Sequence, residues 1–292
     1  MYYKSTPYRF FYVANVVLLL LVAILCLLPL IHILAVSLSS KAPATANIIG
    51  LWPVGFTASA YAQTFNNSQF LMSMWVTVQR VVIGTFIGML ITAITAYPLS
   101  KTEAAFKGRA TYTWIFVFTL LFNGGIIPLY IVVQKLGVMN TIWALVLPTI
   151  VSAWNIILML NFYKTVPKEL EEAAFIDGAN QLKTLFAIYM PISKPAIATL
   201  SLFTMVMHWN SWFDGMIYIT QPDKWPLSTL LQTIVVQEDF TKLTLNPEQL
   251  QSISNKTLKA SQIFIGALPI LIVYPFLQKY FVKGMVIGAV KE

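Results

Sequence analysis

The chain has 292 residues, 58% of them hydrophobic and only 10% charged, with a net charge of +8. A soluble domain carries about 25% charged residues, and the mean hydropathy here is +0.72, so composition excludes an ordinary soluble protein. The basic residues lie near the ends of apolar runs and form no patch with interleaved aromatics. That argues against nucleic acid as a partner and for membrane lipid with anionic headgroups. A single cysteine, Cys26, leaves no disulfide framework or metal cluster, and inside an apolar run it reads as a small buried hydrophobe.

In chain order, residues 2–12 form a short tail with Lys4 and Arg9. The charge-free run 13–36 is long enough for a bilayer, which takes about 20 residues. A signal peptide has an apolar core of only about 7–15 residues. The run therefore reads as an uncleaved first helix, although Ala35-Val36-Ser37 looks like a cleavage site. Residues 37–73 are polar and turn-rich. A second span is expected at 74–98, with Arg80 near its start, followed by a basic loop holding Lys101, Lys107 and Arg109. The third span, 112–134, is interrupted by Asn123-Gly124-Gly125 and Pro128. A tight turn leads to a fourth, 141–163, with Pro148 inside. A charged loop fills 164–194, a fifth span 195–219, a long polar segment 220–261 and a sixth span 263–282. Gly and Pro inside a span are tolerated where neighbouring helices or waters satisfy the freed backbone groups. The expected fold is a single all-α transmembrane domain, 1–292, of six helices.

Orientation follows from the lysines and arginines. With the N-terminus inside, the inner segments hold Lys4, Arg9, Lys101, Lys107, Arg109, Lys164, Lys168, Lys183, Lys194, Lys279, Lys283 and Lys291, twelve in all. The outer segments hold Lys41, Lys135, Lys224, Lys242, Lys256 and Lys259, six in all. Both termini and the 164–194 loop are therefore expected in the cytoplasm.

That loop is the longest charged interruption late in the sequence. Pro167 and the acids Glu169, Glu171 and Glu172 are helix-start signals, since the missing N–H costs nothing there and the acids face the positive dipole end. Gly178 reads as a left-handed stop, and a second helical run, about 181–190, ends at Pro191. Ala173, Ala174, Gly178 and Ala179 predict a surface nearly free of protruding side chains, which another protein's backbone can approach. Glu172-Ala173-Ala174, then Gly178, then Ile188-Tyr189-Met190-Pro191 resembles the cytoplasmic loop signature of permease subunits in bacterial ABC importers, with Met190 where Leu is usual. The chain is most similar to maltose-type carbohydrate importers. Phe122-Asn123-Gly124-Gly125-Ile126-Ile127-Pro128 adds a likeness to the polysaccharide, alginate and aldouronate branch. The resemblance implies a cytoplasmic coupling helix carrying Glu172, Ala173, Ala174, Asp177, Gly178 and Pro191. It also implies a second homologous permease chain, two cytoplasmic ATPase subunits that bind ATP and Mg, an extracytoplasmic solute-binding protein and a carbohydrate substrate. The setting it implies is the bacterial cytoplasmic (inner) membrane.

No catalytic constellation is present, no Gly-x-x-x-x-Gly-Lys-Ser/Thr phosphate loop occurs, and no cofactor is expected on this chain. Arg80 and Asp214 are the only charged residues well inside the expected spans, and either mark a site or snorkel to the interface. The richest stretch, Met207-His208-Trp209-Asn210-Ser211-Trp212-Phe213-Asp214, combines aromatic faces with hydrogen-bonding groups, which is what sugars bind. Helical spacing groups His208 with Ser211 and Trp212, and Asn210 with Asp214. Trp154 and Asn155 are a smaller addition. The alternative for these residues is an interfacial aromatic belt, and for Gly84-x-x-x-Gly88 ordinary helix packing. Against the ABC permease stand an ion-coupled secondary transporter of a small polar solute, which needs a buried ionisable coupling site, an intramembrane enzyme, and a scaffold protein.

Overall fold

A computed structural model describes residues 6–241 and 256–289, with side chains described over 6–235 and 256–276. No strand occurs among the described residues. The helices are α1 (Thr6–Ser37), α2 (Lys41–Thr45), α3 (Ser59–Phe65), α4 (Ser68–Ser100), α5 (Arg109–Leu121), α6 (Ile126–Lys135), α7 (Ile142–Val146), α8 (Ala153–Tyr163), α9 (Lys168–Ile176), α10 (Gln181–Thr184), α11 (Met190–Ile192), α12 (Lys194–Asn210), α13 (Phe213–Tyr218), α14 (Leu227–Thr241) and α15 (Lys256–Ala289). A π-helical turn, Leu185–Tyr189, joins α10 to α11.

Among the described residues, three helices are long and apolar enough to cross a bilayer alone: α1, α4 and the stretch Lys256–Phe276 of α15. Three bent pairs pass the same test, α5 with α6, Ile142–Thr149 with α8, and Gln181–Ile192 with α12, at bends of 113°, 51° and 81°. Counted as one span each, they bring the total to six. This is an all-α membrane fold.

The bends follow from local chemistry. At the 113° bend Phe122 is extended and Gly125 takes φ 84°, ψ 176°. That region of backbone space is open essentially to Gly alone. Asn123 Oδ1 accepts the Gly125 N–H at 2.8 Å, so the turn supplies its own polar partner. Pro128 is the third residue of α6, where its lack of an N–H forfeits no intrahelical hydrogen bond. At the 51° bend Ser152 caps α8, its hydroxyl accepting from Asn155 N–H at 3.2 Å.

The described residues form two compact units. In the first, 6–71 with 233–241 and 256–268, the end of α1 is fixed by Ser37 and Ser39. Ser37 Oγ meets Tyr61 OH at 2.7 Å, and Ser39 Oγ accepts the Val54 N–H at 2.9 Å. Thr64 Oγ1 and Ser261 Oγ, 2.6 Å apart, join α3 to α15. The apolar length of α1 is uncovered, and Cys26, expected to be a buried hydrophobe, is exposed with it.

In the second unit, 72–232 with 269–289, the core joins α4, α8, the π turn and α12 through Met89, Tyr97, Ile156, Met159, Tyr163, Leu185, Tyr189 and Leu200. Gly84 and Gly88 are points of close approach. A Cβ at Gly84 would lie 2.7 Å from Cε1 and 2.9 Å from Cδ2 of His208, and one at Gly88 3.1 Å from the Ile150 carbonyl.

Two further expectations are corrected. The helical run after Gly178 does not end at Pro191 but continues to Ile192; Pro191 is next to last in the run, so its missing N–H affects only the final turn. The segment 220–261 is not all polar loop, since α14 occupies its first half. Residues 242–255 of that segment lie outside the described residues.

The 113° bend gives a test. Gly125→Ala should lower the thermal midpoint of the purified protein, at a backbone cost of about 1–3 kcal/mol. Gly124→Ala, where φ is not positive, should cost less. Equal midpoints for the two variants would show that Gly125 does not set the bend.

Candidate functional site

Residues 164–194 form a helix–turn–helix whose chemistry is local. Pro167 is the N-cap, with φ −57° and ψ 133°, and α9 begins at Lys168 with Glu169 and Glu171 in its first turn. At the other end Gly178 adopts φ 76°. Its N–H bonds to Phe175 O at 3.0 Å, and Ala179 N–H bonds to Ala174 O at 2.9 Å. This pair of bonds is a Schellman cap, which needs a residue at ease in the left-handed region. Asn180 opens the next helix, its Oδ1 accepting from Lys183 N–H at 2.8 Å.

Glu172, Ala173, Asp177, Gly178 and Pro191 are exposed, and Ala174 is buried. The surface is not as smooth as the alanines suggested. Ile176 is 86% and Leu182 62% exposed, and Phe175 and Phe186 project beside them. The signal for this was a Phe-Ile pair directly before the exposed Asp177, with no buried face to absorb it.

The adjacent acids behave differently. Glu172 is exposed, whereas Glu171 turns inward. Lys101 Nζ donates to Glu171 Oε2 at 2.7 Å, with the two side chains only 12% and 15% exposed. Tyr189 OH donates to the same oxygen at 2.6 Å. The Lys101 ammonium also lies 3.9 Å from the Tyr97 ring centroid and 4.1 Å from that of Tyr189. Burial lowers the pKa of Lys101 below its ordinary value, and its hydrogen bond and charge interaction with Glu171 pull it back up. Sequence reasoning singled out neither Lys101 nor Glu171 for this role, since they are 70 residues apart.

The fifth span breaks where helical spacing assumed continuity. α12 ends at Asn210, Ser211 is extended at ψ 116°, and α13 starts at Phe213. The grouping of His208 with Ser211 and Trp212, and of Asn210 with Asp214, is therefore not realised. Arg80 closes the break. Its Nη2 donates to Asp214 Oδ2, and its Nη1 to Asp214 Oδ1 at 3.2 Å and to Ser211 O at 3.0 Å. Ser228 Oγ donates to the same Ser211 carbonyl at 2.6 Å, and Asp214 Oδ1 also takes Ser211 Oγ and Gly215 N–H, each at 2.9 Å. Arg80 is fully buried, so it does not snorkel.

The other sequence candidates separate by burial. His208 is enclosed against Gly84, and Asn155 is buried with its Nδ2 donating to Thr204 Oγ1 at 3.0 Å. Trp209 is half-buried beside an apolar cavity of about 170 Å³ lined by Val78, Val82, Leu202 and Ile270. Trp154, Asn210 and Trp212 are exposed.

No protein-family model matches the chain. It is 40% identical to the protein LplC of Bacillus subtilis (strain 168) over 97% of its own length and 95% of that protein's. It is 39% identical to the polygalacturonan/rhamnogalacturonan transport system permease protein YtcP of the same organism, covering 94% of this chain and 95% of the other. The crystal structure of a bacterial ABC transporter involved in the import of the acidic polysaccharide alginate contains a chain that superposes with a TM-score of 0.85 at 33% identity, covering 95% and 99% of the two chains.

The chain belongs to the permease subunits of carbohydrate ABC importers. The permease is a multi-pass protein of the inner membrane and a transport subunit, not itself a catalyst. Membership gives no support to the ion-coupled alternative, and the pair of buried Arg80 and half-buried Asp214 has a structural task at the α12–α13 break.

That task predicts a non-additive pair of effects. Breaking a buried ion pair from one side costs about 3–5 kcal/mol, whereas replacing both partners by apolar groups is often neutral. Arg80→Met should lower the permease's unfolding midpoint in detergent sharply, and Arg80→Met with Asp214→Leu should recover most of the loss. Additive losses would contradict the pairing.

Proposed function

We propose that the permease forms, with a second similar permease chain, the translocation path for an oligosaccharide or polysaccharide handed over by an extracytoplasmic solute-binding protein. Two cytoplasmic ATPase subunits, which bind ATP and Mg, drive it. The observation that carries the proposal is the exposed helix–Gly–helix of 164–194 on a chain without a phosphate loop. Such a chain receives the energy of ATP mechanically, and this is its large charged element between spans. Relatives whose names point to polygalacturonan, rhamnogalacturonan and alginate support an acidic saccharide as substrate.

The twelve-to-six distribution of basic residues supports cytoplasmic termini and a cytoplasmic loop. On the path, Trp154, Asn210 and Trp212 are the candidates left open in the single chain, with Trp209 at the edge. Asp214 braces the broken span through Arg80, while Asn155 bonds Thr204 of α12 and His208 packs against Gly84. The coupling surface combines Glu172 with Ala173, Asp177 and Gly178, and the projecting Phe175 and Ile176 give it grip. A surface ion pair is worth only about 0–1 kcal/mol, so shape and apolar contact outweigh the charge of Glu172.

Gly178→Trp should therefore reduce both ATPase retention on purification and sugar uptake by the reconstituted transporter, and by more than Glu172→Ala does. Retained ATPase and normal uptake in Gly178→Trp would reduce the loop to a linker. Orientation has its own check: a reporter fused after Lys107 should read cytoplasmic and one near Asn246 external, and swapped signals would overturn it.

A further inference from the structure

We infer that Lys101 is a positioning residue that ties the coupling helix α9 to the second span, so that displacement of α9 by the ATPase passes into α4. The inference rests on the functional reading above, in which α9 meets the ATPase.

The attachment of α9 to the rest of its unit is thin. Ala174 is its one buried residue. None of its side chains belongs to the core cluster that joins α4, α8 and α12. Among the described residues, the side-chain hydrogen bonds that tie α9 to other elements both end on Glu171 Oε2, one from Lys101 Nζ and one from Tyr189 OH. A cavity of about 310 Å³, bordered by Lys101, Thr102, Tyr163, Glu171 and Phe175, lies along this flank, so apolar packing does not fill the space between α9 and the end of α4. Tyr163 is buried there with its hydroxyl unpaired among the described residues.

Lys101 is built as a joint. It follows directly on the last residue of α4, and its carbonyl accepts a hydrogen bond from Arg109 Nη1 at 2.8 Å, which fixes its backbone. Its ammonium is held by two ring faces and one carboxylate. A compact cation over a ring is attracted by the ring's quadrupole, more strongly when desolvated. Tyr97, one turn earlier on α4, extends the joint: its OH donates to Gln181 Oε1 at 2.7 Å, and its ring meets Tyr189 edge to face at 4.9 Å. The carboxylate of α9 and the rings of Tyr97 and Tyr189 thus converge on one lysine at the end of α4, and Tyr97 carries the link on to the start of α10. A push on α9 that cannot be absorbed by sliding over a packed face is borne by this pair.

The test uses the assembled transporter, with both permeases, its ATPases and its binding protein, in proteoliposomes. The quantity read is sugar moved per ATP hydrolysed, alongside ATPase retention on purification. Lys101→Met and Glu171→Gln should keep their ATPase subunits and continue to hydrolyse ATP, while sugar moved per ATP falls at least about fivefold, the low end for a coupling free energy between sites. Lys101→Arg, which keeps a cation over the rings and beside Glu171, should stay near wild type. An unchanged ratio in Lys101→Met overturns the inference and leaves the functional reading standing. Loss of the ATPase from Lys101→Met also overturns it, because the residue would then serve docking alone. A wild-type complex that carries no ATPase would instead sink the functional reading.

Discussion

Within a bilayer there is little water to satisfy a freed N–H or C=O, so a span may break only where the protein supplies the missing partners. This constraint organises the second unit. At the 113° bend Asn123 accepts the Gly125 N–H. At the α7–α8 bend Ser152 accepts from Asn155. Where α12 stops at Asn210, the freed Ser211 carbonyl is taken by Arg80 and Ser228, and Arg80 is held in turn by Asp214. The only two charged residues that the sequence places deep inside spans are therefore used on one another and on one broken turn.

How much of this was legible depended on the range of each signal. The cap of α9 was readable because Pro167 and Gly178 act on their own backbone, and the structure places a left-handed Gly there. The Asn-Gly-Gly interruption was equally plain. The break after Asn210 was not, since Ser211 and Trp212 are neither Gly nor Pro and an apolar run continues past them. The side chain that satisfies it is Arg80, 131 residues earlier. Helical spacing then grouped residues that the fold separates. The difference between Glu171 and Glu172 was invisible for the same reason, because it is decided by Lys101 and Tyr189 and not by neighbours in sequence.

The two neighbouring acids divide the loop's surfaces between them. Glu172 is exposed with Asp177 and Ile176, on the surface proposed for the ATPase, and Phe175 projects at the edge of the cavity beside Lys101. Glu171 faces the body and joins α9 to α4. In the proposed function, one turn of helix carries both the contact that receives a push and the contact that passes it on. At the break beyond α12, Asn210 and Trp212 are exposed, whereas His208 and Arg80 are buried.

The central claim is that α9 meets an ATP-hydrolysing subunit. A photocrosslinking residue at position 176, in place of the exposed Ile176, tests it in native membranes, with the captured species identified by mass spectrometry. The account predicts capture of an ATP-binding subunit. Capture of lipid alone, or of no protein, would contradict it.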